Sequence, residues 1–128
     1  MKILRDARGE LLEEPDYYGP RSFLADACQT FPELHSDPDI TIGTHILMAA
    51  IGRLTMHAVA AGNVGLAQSI FMFLDQVLRR APLHPEIPNA VAISFLDPGQ
   101  LQTSSIGRQI WKSMPDSIRD LLDPADEK

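Results

Sequence analysis

Four histidines, one serine set among apolar residues and a single cysteine are the side chains of this 128-residue chain whose types could do chemistry. A metal site needs them to converge. His45 and His57 lie about a third of a helical turn out of phase at 3.6 residues per turn, so on one helix they do not meet. No H-E-x-x-H pattern, cysteine pair or carboxylate at ligand spacing accompanies them or His35 and His84. All four are expected to be surface or partly buried imidazoles, and no metal or other cofactor is predicted. Ser94 stands in Ile93-Ser94-Phe95 rather than in the G-x-S-x-G turn that exposes a nucleophile. On a buried helix its hydroxyl is expected to bond a backbone carbonyl one turn back. The carboxylate pairs Glu13/Glu14 and Asp37/Asp39 fall in polar or turn segments, where they are expected to be solvated rather than set up for acid–base work. Gly62-Asn63-Val64-Gly65 has neither the glycine pattern nor the lysine of a phosphate loop. Cys28, among Phe23, Leu24, Ala27 and Phe31, reads as a buried, inert thiol, since reactive thiols need exposed, electropositive surroundings. No catalytic residue is predicted.

What composition permits is consistent with that absence. One domain-sized chain with 45% hydrophobic and 22% charged residues can bury a core of its own. Aromatic residues are few, so the core is expected to be aliphatic, with methionine and alanine filling gaps. The net charge of -6 repels phosphate backbones, and no basic run extends beyond Arg79-Arg80, so nucleic-acid binding is disfavoured. The same charge suits a basic protein partner. The stretch 40–61 is apolar but interrupted by His45, Arg53 and His57, short of a membrane span. The N-terminal residues lack the apolar region of a secretory signal. With its lone cysteine, the chain reads as cytoplasmic.

The elements that must position these residues are helical. Residues 1–20 form an extension: Lys2 to Asp6 and Glu10 to Glu13 flank Ala7-Arg8-Gly9, giving either a small hairpin with Gly9 at positive φ or a frayed helix broken there. Residues 14–20 read as a linker with two tyrosines available for docking. Ser22 is expected to cap a first helix that ends before Pro32. A long helix over 41–61, apolar nearly all round, is expected to be central, with a main stripe of Leu47, Ala50, Ile51, Leu54, Ala58 and Ala61 broadened by Ile46 and Val59. Gly62-Asn63 closes it and caps the amphipathic helix 64–81, whose outer face carries Gln68, Met72, Asp75, Gln76 and Arg79. Pro82, Pro85 and Pro88 are expected to prevent regular structure until Asn89. Periodicity leaves 89–96 open between helix and strand; helical neighbours and the capping type of Asn89 favour a short buried helix. Helices over about 104–112 and 115–122 complete the chain. The prediction is an all-α single domain of about five or six helices packed around the long one, over residues 21–123, with 124–128 frayed.

The order Phe31-Pro32-Glu33-Leu34, long helix, Gly62-Asn63, then Asn89-x-x-x-x-Ser94-Phe95-Leu96-Asp97 resembles a family of small bacterial helical domains. They share an F-P-E-L-like start and an N-x-x-x-x-S-F-L-E/D block. The resemblance covers roughly residues 23–122. Members of such families resemble immunity proteins of polymorphic toxin systems, small acidic proteins that each bind and block one cognate toxin domain. On that resemblance Asn89, Ser94, Phe95 and Asp97 hold the fold, while toxin-contacting residues differ between members and none can be carried over.

The expectation is therefore a cytoplasmic immunity protein that occludes a toxin with a basic surface, without nucleic acid, membrane or cofactor. Its contacts are expected from Gln68, Met72 and Asp75 on one helix, with Glu86 and Asp97 near the adjoining loops. The alternative is a non-catalytic scaffold or regulatory subunit acting through helical self-association.

Overall fold

A computed structural model describes Leu4–Arg5, Leu11–Leu12 and residues 17–122 of the chain. Leu4–Arg5 (β1) pairs antiparallel with Leu11–Leu12 (β2), Leu4 opposite Leu12, so the described part of the extension is the hairpin and not the helix. Gly9, the Glu13/Glu14 pair and the frayed tail expected after 123 lie outside the described residues. Everything else regular among them is helical, and none of these helices is long and apolar enough to cross a membrane.

Helix α1 spans Pro20–Thr30. It starts two residues before the expected Ser22 cap, because Pro20 takes the first turn, where a missing N–H costs nothing and a fixed φ favours the helix. Two 3-10 turns follow, Pro32–Ser36 and Pro38–Thr41. Between them Asp37 accepts the Asp39 N–H at 2.9 Å and an Arg53 guanidinium hydrogen bond at 2.6 Å. The long helix α2 is Thr44–Ala61. Gly62 ends it in the left-handed region at φ 70°, and Asn63 accepts the Leu66 N–H at 3.1 Å to open α3, Val64–Leu78. That junction is as expected, although α3 stops short of Ala81.

The proline-rich stretch behaves otherwise than expected. Helix α4 is Glu86–Ala90, so Asn89 lies inside it, exposed, rather than capping it. Pro88 is the third residue of that helix, where its missing N–H is among the four that have no intrahelical acceptor in any case. The Glu86 N–H is taken instead by His84 Nδ1 at 3.1 Å. Val91–Phe95 continues the rod as a π-helix, ending at extended Leu96. Asp97 accepts the Gly99 N–H at 2.9 Å and starts a further helix, α5, Pro98–Leu101. Helix α6 (Ser105–Ser113), capped by Ser104 onto Gly107 N, and α7 (Asp116–Leu122) close the fold.

Helix α2 touches α1, α3, α4, both 3-10 turns and the π-helix. Leu47, Met48, Ile51 and Ala58 are sealed in the core with Phe23, Ile70, Phe71 and Leu74. The stripe read from sequence is shifted at its ends: Ile46 and Ala61 are exposed, while Thr55 is fully buried, its hydroxyl donating to the Ile51 carbonyl at 2.9 Å. Gly52 marks the tightest crossing. A Cβ there would stand 1.7 Å from the Phe95 carbonyl oxygen, so helix and π-helix approach to a distance only glycine permits.

The aromatic pair before α1 docks as the linker composition suggests. Tyr18 N donates to Pro82 O and His84 N to Tyr18 O, each at 2.9 Å, forming a parallel bridge. His84, expected at the surface or partly buried, is fully buried, with its ring 5.8 Å from that of Tyr17. Cys28 is half-buried against the core.

Candidate functional site

The polar side chains singled out from sequence fall in three places. The first is the outer face of α3. Gln68 and Met72, one turn apart, are both exposed, Met72 at 61%. A methionine on a polar helix face is an adaptable contact, since its thioether stem has three rotatable bonds and no fixed shape. Asp75, next on the face, was expected to be an exposed acid and is not. It is 20% exposed, accepts the Ser117 hydroxyl at 2.5 Å and pairs with Arg79 at 3.0 Å. The reason is tertiary: α7 packs on α3 and delivers Ser117 from 42 residues away.

Ser117 holds the Asp75 carboxyl below the ordinary carboxylate range, Arg79 adds to that, and burial opposes it. A carboxylate whose pKa is lowered on folding stabilises the fold above its unfolded pKa, and that contribution is lost as pH falls through the folded value. Asp75→Asn should therefore cost about 1 kcal/mol at neutral pH. It should also leave urea stability less sensitive to acid below pH ~4 than in the parent chain. Equal acid sensitivity in parent and variant would show that the Ser117 contact does not hold in solution.

The second place joins His45 and Ser94, whose Nδ1 and Oγ lie 2.7 Å apart. The carbonyl one turn back, expected as the Ser94 partner, is replaced by a side chain 49 residues away in sequence. In the tautomer protonated at Nε2 the hydroxyl donates to Nδ1, the first contact of a nucleophile and its base. Such a pair acts on substrate only with a group orienting the far ring nitrogen and donors for an oxyanion. No hydrogen bond to His45 Nε2 is present among the described residues. What the pair does is tie the π-helix to the first turn of α2. His57, twelve residues on, is exposed and does not join it.

The third place is the pair of clefts that flank the α4–π-helix rod. Glu86, half-buried, lines a cleft of about 340 Å³ between the starts of α1, α2 and α4. Asp97, exposed, lines one of about 480 Å³ with Gly52, His57 and Gln100. These two acids stand at opposite ends of the rod, roughly 15 Å of helix apart at 1.5 Å per residue. Gln68, Met72 and Asp75 share a helix face; Glu86 and Asp97 join neither that face nor each other.

Sequence reasoning missed the exposed isoleucines. Ile93, placed in a buried helix, is 70% exposed, and Ile42 is 69% exposed. Ile46, flanking His45 as Ile93 flanks Ser94, is 37% exposed. The available signal was Ile93 one turn beyond Asn89, which puts it on the polar side of any helix over that segment. Among the described residues no group of three or more metal-ligating side chains assembles. No family model, curated protein or solved structure matches the chain.

Proposed function

We propose that this chain is an immunity protein that binds one cognate bacterial toxin domain and neutralises it by steric and electrostatic occlusion, without catalysis of its own. The observation that carries this reading is Met72, an exposed soft apolar side chain beside exposed Gln68 on a chain of net charge -6. An adaptable apolar anchor on a chain of net negative charge suits a toxin domain with a basic surface. The resemblance to small bacterial helical domains of toxin systems supports the same reading.

The test is to read the neighbouring genes for a toxin domain and to co-produce that domain with this chain; a neighbourhood that encodes no toxin would count against the proposal. Growth arrest by the toxin should be relieved, and the complex should form with an on-rate that falls steeply with added salt. Met72→Glu should weaken it by about tenfold or more, the loss of one hot-spot side chain. Undiminished arrest in cells that accumulate the folded chain would sink the proposal.

A second reading, a scaffold acting through helical self-association, is favoured by Ile42, Ile46 and Ile93, large aliphatic residues left in water. It requires the purified chain to be a dimer or larger at micromolar concentration, and Ile93→Asp to return it to monomer.

A further inference from the structure

We infer that the cleft between α1 and the chain leaving α3 binds a free amino acid with an apolar side chain, its carboxylate on Arg80 and its ammonium on Asp26. The cleft holds about 490 Å³, the size of a small-ligand pocket. Ala25 and Asp26 of α1 line one side of it, and Arg80, Ala81 and Pro82, which follow α3, line another. Tyr18 joins the two: its backbone N–H donates to the Pro82 carbonyl at 2.9 Å, and its side chain is buried among the lining. None of the residues proposed to meet a toxin lines this cleft, so the inference does not rest on that reading.

Arg80 and Asp26 are the two charged residues of the lining, and they do not pair with each other. Tyr18 places both. Its hydroxyl donates to Asp26 Oδ2 at 2.7 Å, and the Arg80 guanidinium carbon lies 4.7 Å from the centroid of its ring. That stacking occupies one face of the guanidinium and leaves the N–H donors at its edge. No carboxylate or other acceptor takes them among the described residues. A planar fork held in one orientation, with its donors unused, fits a carboxylate. Asp26 is half-buried, and its second oxygen, Oδ1, has no partner among the described residues.

A cation and an anion set on one tyrosine, each with unused bonding capacity, complement a ligand that carries both charges a short distance apart. A plain anion drawn to Arg80 would meet Asp26, and a plain cation drawn to Asp26 would meet Arg80. A zwitterion satisfies both at once. Ala25, Ala81 and Pro82 offer a ligand side chain nothing to hydrogen-bond, so the class selected is an amino acid whose side chain is apolar.

The experiment follows backbone amide resonances of the full chain as L-phenylalanine is added. The other probes are 3-phenylpropionate and phenethylamine, each of which keeps one of its two charges. Phenylalanine should shift the Ala25, Asp26, Arg80 and Ala81 amides saturably, and each single-charge probe should bind at least about tenfold more weakly. Arg80→Gln should weaken phenylalanine about tenfold while phenethylamine binds as before or more tightly. Asp26→Asn, whose amide oxygen can still accept from Tyr18, should weaken phenylalanine by a similar factor while phenylpropionate binds as before or more tightly. Neither side chain is part of the core, so both variants should melt close to the parent chain. The absence of a saturable shift, equal binding of either single-charge probe, or undiminished phenylalanine binding to Arg80→Gln would each overturn the inference.

Discussion

Gly52→Ala should destabilise the chain by about 3 kcal/mol or more, lowering its melting temperature by roughly 10 °C. The added methyl would lie 1.7 Å from the Phe95 carbonyl oxygen and 2.8 Å from its carbonyl carbon. Both obstacles are backbone, so no side-chain rotation relieves them. The π-helix must move off α2, and with it go the burial of Phe95 and the Ser94–His45 contact. Intrinsic preference runs the other way, since alanine in a helix interior is favoured over glycine by about 1 kcal/mol. A large loss in thermal denaturation would therefore isolate the crossing itself. Gly65→Ala is the control: its Cβ would meet only Asn63 Oδ1, at 3.7 Å, and should leave stability unchanged or slightly raised. An unchanged melting temperature for Gly52→Ala would show that the two backbones do not approach this closely.

Phe71→Ala should cost about 3–5 kcal/mol, read as a lower urea midpoint with an unaltered slope. Phe71 is 2% exposed and lies edge-on to Phe95, with ring centroids 6.5 Å apart. It fills the space between α3 and the π-helix, where removing the ring leaves a cavity walled by residues that other helices hold in place. A Phe71/Phe95 double-mutant cycle should return a coupling of about 1 kcal/mol, the worth of an edge-to-face pair beyond its buried area. A loss under 1 kcal/mol for Phe71→Ala would mean that the π-helix collapses readily onto α3.

Both predictions concern a junction that local sequence signals describe poorly. The α2–α3 corner was legible because its determinants are adjacent: Gly62 at positive φ, Asn63 as cap, and apolar spacing on either side. The α4–π-helix rod was legible as a helix only. Its start was misplaced because three prolines signal irregular chain, and it takes knowing where the first turn lies to see that Pro88 is harmless. The buried residues Ile87, Val91 and Phe95 recur every fourth position, slightly longer than an α-helical repeat, which suits the wider π turn. Asp75 looked like a free acid on a polar face because its partner Ser117 belongs to another helix, and His45 and Ser94 carry no mutual signal in sequence. Gly52 was the readable hint: a glycine in the interior of an otherwise strong helix implies that some backbone comes close.

The two-residue corner at Gly62-Asn63 also bears on the order in which this molecule assembles. Helices α2 and α3 meet through a loop so short that closing it costs little chain entropy, and each contributes a long aliphatic face to the other. Contacts of this kind are local in the chain and form early, within the microseconds typical of helical hairpins. The Tyr18–Leu83 bridge, the Ser94–His45 tie and the Ser117–Asp75 tie each join segments far apart in the chain and must wait for that hairpin to exist. Amide hydrogens of α2 and α3 should thus be the slowest in the molecule to exchange. The outer helices α1, α6 and α7, laid onto the hairpin last, should be the first to open.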